Sequence, residues 1–337
     1  MSGAPAAIEE CRDGDGAPAL ADLVGHARPL VIRGLCRDWP MVAWARQSDD
    51  AFARELARRD NGSEVDALLL PAGEGGVIGY NAAFDGFNYT HHRVSIGQGL
   101  QRLAQYSRQP EAPGLAMQSA LIGACLPGLL DDHALPFLDP SIQPRIWIGN
   151  RVTTPAHFDE YHNVACVVCG VRRFTLFAPE QARNLYVGPL DFAPTGAAIG
   201  IARLDRPDDP RYPGLKLALA AAQVAELHPG DAIYIPPLWW HHVESLQRIN
   251  ALVNYWWKPV LADGHAPDTA LGCLMHCILA FRSLPPAERA AWRELLGYYV
   301  FGDEDPAAHL PADRRGILGP LTPGQLAEIR ASIRRYL

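Results

Sequence analysis

The chain has 337 residues, of which 48% are hydrophobic and 20% charged, a balance typical of a globular protein with a substantial core. Its formal net charge of −7 disfavours broad electrostatic binding to nucleic acid or to an anionic membrane surface. Because no apolar run reaches the roughly 18 to 20 residues of a membrane helix, and the N-terminus lacks a signal-peptide pattern, we expect a cytoplasmic protein with no membrane partner.

The N-terminal third is predicted to flank a larger sheet rather than to form one by itself. Residues 1–18 are acidic and rich in Gly and Ala, and we expect them to form a loose tail. Residues 19–139 alternate between β-like and helix-like patterns, which predicts an α/β region. The β-like runs are Leu30–Arg33, Val65–Leu70 and Val77–Tyr80, and the helix-like ones are Asp49–Arg59 and Ile96–Ser107.

Residues 140–260 have the pattern of an antiparallel sandwich or barrel. Short runs rich in Val, Ile, Phe, Tyr and Trp are separated by Gly, Pro and Asn or Asp. These runs are Arg145–Gly149, Asn163–Cys169, Arg172–Phe177, Ala232–Ile235 and Ala251–Trp257. A polar, Pro-rich insertion over residues 188–214 is too long for a hairpin, so it is predicted to be a functional loop.

Residues 261–337 are predicted to be helical. Leu271, Leu274, Met275 and Ile278 share one helix face, and the segments Pro286–Val300 and Pro323–Tyr336 follow. Two amphipathic helices carry more apolar residues than a small appendage can bury alone. We therefore expect a homodimer built on this region, with packing of the helices on their own domain as the alternative.

The cysteines indicate reduced thiols. Cys166 and Cys169 form a CxxC pattern, but they lie in an apolar run that is typical of a strand. Residues three apart on a strand face opposite ways, which disfavours both a disulfide and a shared metal. Buried thiols are favoured over a redox motif.

Two segments carry candidate metal ligands. In TTPAHFDEYHN, His157 and Asp159 are two residues apart and would share a strand face. In GDAIYIPPLWWHHVES, about 80 residues later, His241 and His242 supply a further imidazole. Two histidines and a carboxylate are the facial triad that leaves three positions open on non-haem Fe(II). Each segment alone is weak evidence, because polar strand residues and a packed aromatic strand end give the same patterns.

The segments together resemble a known family. TPAHFDEYHN, GVRRFTLFAP, GDAIYIPPLWWHHVESL and VNYWWKP occur in order, and VIRGLCRDWP precedes them. They are similar to the cupin-like, JmjC-type Fe(II)- and 2-oxoglutarate-dependent oxygenases, and most to the asparaginyl hydroxylases of the factor-inhibiting-HIF type. The resemblance implies a mainly β double-stranded β-helix (a jelly roll) with an N-terminal α/β flank and C-terminal helices. It also implies Fe(II) and the co-substrates 2-oxoglutarate and O2.

The resemblance assigns roles to individual residues. His157, Asp159 and His241 become the metal ligands, because His241 directly follows Trp-Trp as the distal ligand of the family does. Four further residues are assigned to the 2-oxoglutarate site: Thr154, Asn163, Arg172 and Asn254.

Two positions depart from the pattern of the asparaginyl hydroxylases. Arg172 replaces a lysine that anchors the far carboxylate, and strand alternation places it on an interior face, with a surface charge as the alternative. A tyrosine that contacts the same carboxylate is replaced by Ala116. Either Tyr80 or Tyr89 takes its place from another loop, or Arg172 acts alone.

The function expected from this resemblance is hydroxylation of a protein or peptide side chain. A 2-oxoglutarate oxygenase acting on a small molecule and a non-catalytic metal-binding cupin are the alternatives. A cupin that reacts without 2-oxoglutarate commonly has three histidines and a glutamate, whereas this chain has two histidines in the pattern.

Overall fold

The computed structural model describes residues 5–12, 20–258 and 270–335. The chain divides into two units, residues 1–257 and 258–337. No helix in the described ranges is both long and apolar enough to cross a membrane.

Two β-sheets form the first unit. Its strands are β1 (Ala6–Ala7), β2 (Glu9–Arg12), β3 (Leu30–Arg33), β4 (Val65–Leu70), β5 (Thr90–Val94), β6 (Gly114–Leu121), β7 (Arg145–Gly149), β8 (Thr153–His157), β9 (His162–Cys169), β10 (Arg172–Phe177), β11 (Gln223–Leu227), β12 (Ala232–Ile235), β13 (Trp240–Ser245) and β14 (Asn250–Trp257). One sheet has the order β1-β11-β10-β13-β8, and the other has the order β2-β3-β12-β9-β14-β7-β6-β4-β5. This architecture confirms the predicted jelly-roll class.

Helices flank the sheets of the first unit and make up much of the second. They are α1 (Leu20–His26), α2 (Pro40–Gln47), α3 (Asp49–Arg59), α4 (Ile96–Tyr106), α5 (Ile122–Cys125), α6 (Leu215–Ala220), α7 (Ala270–Phe281), α8 (Pro286–Leu296) and α9 (Pro323–Ile333). Local sequence sets their starts: Ser48 caps α3, and Ser95 with Gln98 forms a capping box on α4.

Strand alternation gives the first unit two main cores. One lies between the sheets, where Val167 from the larger sheet packs in the same cluster as Phe174 and Val243 from the smaller one. The other lies where the larger sheet meets the helices, with Phe52 of α3 and Leu100 of α4 in one cluster with Ile146. The larger sheet is therefore covered on both faces, and its strands are buried along most of their length.

The N-terminal prediction is wrong for the residues that the structure describes. Instead of a loose tail, residues 6–12 form β1, which pairs in parallel with β11, and β2, which pairs in parallel with β3. Ile8 between them is 2% exposed and packs in the core between the sheets. The other tail residues, 1–4 and 13–18, lie outside the described residues. Two short parallel pairings to distant strands leave no periodic signal in the local sequence.

Other expectations differ in detail. Val77–Tyr80 makes only isolated bridges, through Val77 to Thr153 and through Tyr80 to Phe87. Cys166 and Cys169 are buried free thiols as expected, but both pack on the helix-facing side. Their expected opposite orientation fails because the pairing of β9 with β14 shifts register near Cys169.

The second unit exposes apolar side chains along its helices. Among its residues are the exposed side chains of Leu274, Leu279, Trp292, Leu295, Tyr299 and Phe301. Pro286 opens α8 as predicted, and the helix passes into a π-helical turn over Gly297–Phe301. The predicted last helix ends earlier than Tyr336, at Ile333, and Tyr336 itself lies outside the described residues.

Candidate active site

Three side chains meet at one end of the space between the sheets. His157 ends β8 and is the cross-strand neighbour of His241 in β13, with ring centroids 4.0 Å apart. The Oδ2 atom of Asp159 lies 3.6 Å from Nε2 of His241. One ligand atom of each residue lies within 4.8 Å of the others. Asp159 is not on the strand, as the spacing predicted, but in the loop after it, where its carbonyl accepts a hydrogen bond from Leu238 N.

Backbone carbonyls orient both imidazoles. Nδ1 of His157 lies 2.9 Å from the Pro155 carbonyl, and Nδ1 of His241 lies 3.1 Å from the Trp239 carbonyl. Because a carbonyl only accepts, each Nδ1 must carry the proton, which leaves both Nε2 lone pairs free for a metal. Burial, with the nearby His157, lowers the pKa of His241 to about 4, so this ligand is neutral near pH 7.

The carboxylate of the cluster needs a cation. Oδ2 of Asp159 is buried and has no hydrogen-bond partner among the described residues. A buried carboxylate oxygen without a partner is costly, and a divalent metal would satisfy it. Two free imidazole nitrogens and one carboxylate oxygen are also the donor set of the Fe(II) facial triad. The residues present therefore fit the metal that the sequence implies.

The second histidine of the pair faces the other way. His242 lies opposite Thr175 of β10, and its side chain points to the outer face of the smaller sheet. Burial lowers its pKa to about 4 as well, so it is neutral near pH 7. The structure brings His241, and not His242, to His157 and Asp159.

Arg172 lies in the same interior as the metal cluster and makes no ion pair with a carboxylate of the described residues. It is 8% exposed, its Nε has no hydrogen-bond partner, and one Nη lies 3.5 Å from the Trp147 carbonyl. Burial lowers its pKa to about 10. It shares its strand face with Leu176, which is the cross-strand neighbour of His241. At the usual rise of a strand, the Cα atoms of Arg172 and Leu176 are roughly 13 Å apart.

A polar network lines the wall opposite Arg172. Asn254 donates to Asn163 (3.2 Å) and accepts from the indole N–H of Trp147 (2.8 Å). Thr154, also predicted, is the cross-strand neighbour of the interior residue Val243. The indole nitrogen of Trp256 is buried and has no hydrogen-bond partner in the part of the chain that the structure describes, and its ring packs edge-to-face on Trp147. Neither tryptophan could be assigned to the site from the sequence, because an aromatic residue in a strand is usually core.

Comparison with known proteins identifies the family. Residues 17–263 match the model of the cupin-like domain. The chain belongs to the cupin-like, JmjC-type family.

Among similar proteins, Jumonji C domain-containing protein 5 of Drosophila melanogaster is 30% identical over 210 residues, which are 58% of this chain and 50% of that protein. Lysine-specific demethylase JMJ31 of Arabidopsis thaliana is 34% identical over 114 residues, 33% of this chain and 20% of that protein. HSPB1-associated protein 1 of Homo sapiens is 30% identical over 149 residues, 43% and 30% of the two chains. The match therefore spans half or less of each of these relatives.

Two remaining positions of this JmjC-type cupin bear on the site. Tyr80, a candidate to replace the missing tyrosine, instead donates its hydroxyl to the Phe192 carbonyl (2.7 Å), on the outer side of the smaller sheet. Tyr89 packs in one apolar cluster with Ala116, the position where the tyrosine was expected.

The insertion over residues 188–214 borders the metal cluster. Ile199 pairs with His157, so the insertion lies along the free edge of β8.

Proposed function

We propose that this JmjC-type cupin is an Fe(II)- and 2-oxoglutarate-dependent oxygenase that hydroxylates a protein or peptide side chain. One observation carries the proposal: two imidazoles with free Nε2 atoms and the unpartnered oxygen of Asp159 converge within 4.8 Å. Family membership supports the same class of chemistry. A second support is the buried guanidinium of Arg172 in the same interior, whose Nε has no hydrogen-bond partner among the described residues.

The proposed reaction divides its work between the bound groups and the chain. Iron with 2-oxoglutarate and O2 would supply the oxidation, in which 2-oxoglutarate loses CO2 to become succinate and one oxygen atom enters a substrate C–H bond. His157, Asp159 and His241 would hold the metal on one side and leave the other side open. The carbonyls of Pro155 and Trp239 fix the two rings, so the ligands need little rearrangement when metal binds.

The remaining residues would bind and orient the co-substrate. Arg172 would form an ion pair with its far carboxylate, which would compensate a buried charge that has no carboxylate partner among the described residues. The network of Asn163, Asn254 and Trp147 fixes polar groups on the facing wall before the co-substrate arrives. Trp147 and Trp256 would exclude water from that wall, which strengthens the electrostatic contacts inside.

A peptide or protein substrate follows from the resemblance to asparaginyl hydroxylases. The alternatives are a small-molecule substrate and a cupin that binds metal without turnover.

One measurement tests the class: succinate formation from 2-oxoglutarate by protein loaded anaerobically with Fe(II) and then exposed to O2. We expect turnover in the intact chain, loss in Asp159→Ala, and retention in His228→Ala, a histidine outside the cluster. Iron binding without any succinate, at all peptide and small-molecule additions tried, would favour the non-catalytic cupin.

We also propose that the second unit forms a homodimer interface. Its helices expose large apolar side chains, among them Leu295, which is 47% exposed. A closed symmetric pair is the most common way for one chain to cover such a surface.

A further inference from the structure

A cavity lies on the outer face of the five-stranded sheet, away from the metal cluster. Its volume is about 790 Å³, within the usual size of a small-molecule site. Its floor is formed by those side chains of β10 and β13 that point away from the space between the sheets, where the metal cluster lies. Its walls are formed by residues 74–88 and 199–205. We call it the outer cavity. Since His241 and His242 are consecutive on β13, the two sites lie on opposite faces of one strand.

The floor of the outer cavity presents two polar groups that the proposed reaction does not use. Thr175 and His242 are cross-strand neighbours and are 6% and 7% exposed. The Nδ1 atom of His242 is buried and has no hydrogen-bond partner within the described part of the chain. A buried polar atom of this kind is rare in a core, and because it is shielded from solvent, the imidazole would meet a ligand in the cavity through its other ring nitrogen.

The cations around the outer cavity are already neutralised. Arg173 donates to Glu226 at 2.6 Å and lies 3.5 Å from Glu244. Arg203 donates hydrogen bonds to both carboxylate oxygens of Asp205, at 2.9 and 2.8 Å. Each guanidinium is therefore paired with a carboxylate, and the lining holds three carboxylates, Glu74, Asp205 and Glu244, against these two cations.

The third carboxylate of the lining and an aromatic ring form another part of the wall. Glu74 accepts a hydrogen bond from the Asn88 amide at 2.9 Å. Its charge helps to raise the pKa of Arg203, but among the described residues no Lys or Arg nitrogen lies within 4.0 Å of its carboxylate. The aromatic ring of Tyr80 forms part of the same wall and stacks on Phe84 at 5.3 Å. Aromatic faces attract cations, and a carboxylate beside them adds to this preference. The rest of the wall, including Ile78 and Ile199, is apolar.

We propose that the outer cavity binds an alkyl ammonium or guanidinium group, from either a free polyamine-like molecule or a lysine or arginine side chain of a peptide. The cationic head pairs with Glu74 and lies near the ring of Tyr80. Its N–H groups donate to Thr175 and His242, and its alkyl stem contacts the apolar wall. Such a ligand is positively charged and apolar along its length, which matches the excess of carboxylates over cations in the lining and the aliphatic wall.

The test is a calorimetric titration of the full chain without iron or 2-oxoglutarate, so that its outcome does not depend on the proposed oxygenase activity. The probes are N-acetyl-arginine amide, spermidine and the peptide acetyl-Gly-Gly-Arg-Gly-Gly-amide, with N-acetyl-citrulline amide as the uncharged match. We expect saturable binding of the cations and at least roughly tenfold weaker binding of citrulline. A preference for spermidine over the peptide identifies a free amine as the source, and the reverse identifies a peptide.

Variants locate the binding. Glu74→Gln and Thr175→Val should each weaken the binding of the preferred cation, Glu74→Gln by roughly tenfold. Glu180→Gln, on the surface outside the cavity, should keep the affinity within about twofold of that of the intact chain. Binding should persist in Asp159→Ala, which separates the outer cavity from the metal cluster. Thr175→Val removes one hydroxyl at nearly constant volume, so it remains informative if Glu74→Gln is unstable. The absence of saturable binding up to about 10 mM of every cation, or equal affinity in both cavity variants and the intact chain, would overturn the proposal.

Discussion

Replacing Arg172 with methionine should make the free protein more stable while it removes co-substrate binding. Burial lowers the pKa of Arg172 from 12.5 to about 10. Each pKa unit corresponds to about 1.4 kcal/mol, so the unpaired charge costs the folded protein about 3 kcal/mol. Because the folded pKa lies below the unfolded one, this cost is fully present below about pH 10 and is relieved only as the pH rises towards 12.5. Arg172→Met removes the charge and keeps much of the apolar stem, so the free energy of unfolding should rise by up to about 3 kcal/mol.

The second half of this prediction concerns 2-oxoglutarate. If Arg172 anchors its far carboxylate, Arg172→Met should weaken 2-oxoglutarate binding by on the order of 2 kcal/mol or more. A ligand at about 100 times its dissociation constant stabilises a protein by about 2.7 kcal/mol. With 2-oxoglutarate, the urea midpoint of the intact chain should therefore shift clearly upwards, and the variant should lose this shift. Urea denaturation with Fe(II) under nitrogen, with and without 2-oxoglutarate, measures both effects in one series.

Arg173→Met is the matched control. It removes the neighbouring arginine, which faces outwards and pairs with Glu226 and Glu244 at the surface. Partly exposed ion pairs contribute about 0 to 1 kcal/mol, so this variant should keep the 2-oxoglutarate shift and lose little stability. A marked loss of stability in Arg172→Met without ligand would contradict the cost assigned to the buried charge. A full 2-oxoglutarate shift in that variant would exclude Arg172 as the anchor.

Three further predictions concern the metal, the assembly and the thiols. His241→Ala should lose Fe(II) binding in equilibrium dialysis while His242→Ala retains it, and the reverse result would mean that the other imidazole binds the metal. The intact chain should scatter light as a dimer and Leu295→Glu as a monomer near 36.8 kDa, whereas a monomeric intact chain would exclude the proposed interface. Cys273 is exposed and should be alkylated in the native protein, whereas burial raises the pKa of Cys169 to about 12 and should protect it until unfolding, as mass spectrometry can show.

Elements with a strong local signal could be predicted from the sequence. The ends of β10, β12 and α3 coincide with those of the predicted runs. In each case the alternation of apolar residues, or a serine cap before a helical pattern, lies within the element itself. The convergence of His157 with His241 was also predicted, but through the resemblance and not through spacing, since 84 positions separate the two residues in the numbering.

Features that depend on distant partners could not be predicted. Val77–Tyr80 has the composition of a strand, yet it makes only single bridges because its neighbours are the loops around the outer cavity. The orientation of each imidazole depends on a backbone carbonyl two residues before it, and no side-chain pattern encodes that contact. Trp256 was missed because its unpartnered nitrogen distinguishes it from a core residue only in three dimensions.

The short segment Ala6–Arg12 has a practical consequence for anyone who shortens this chain. The match to the cupin-like domain begins at residue 17, so a gene trimmed to that boundary would lack β1 and β2. The trimmed protein would leave the edges of β11 and β3 open to pairing with other molecules. It would also lose Ile8, whose burial between the sheets is comparable to a large core residue worth about 2 to 5 kcal/mol. Poor solubility of such a fragment would then reflect the loss of a segment that pairs with both sheets, and it would say nothing about the metal cluster.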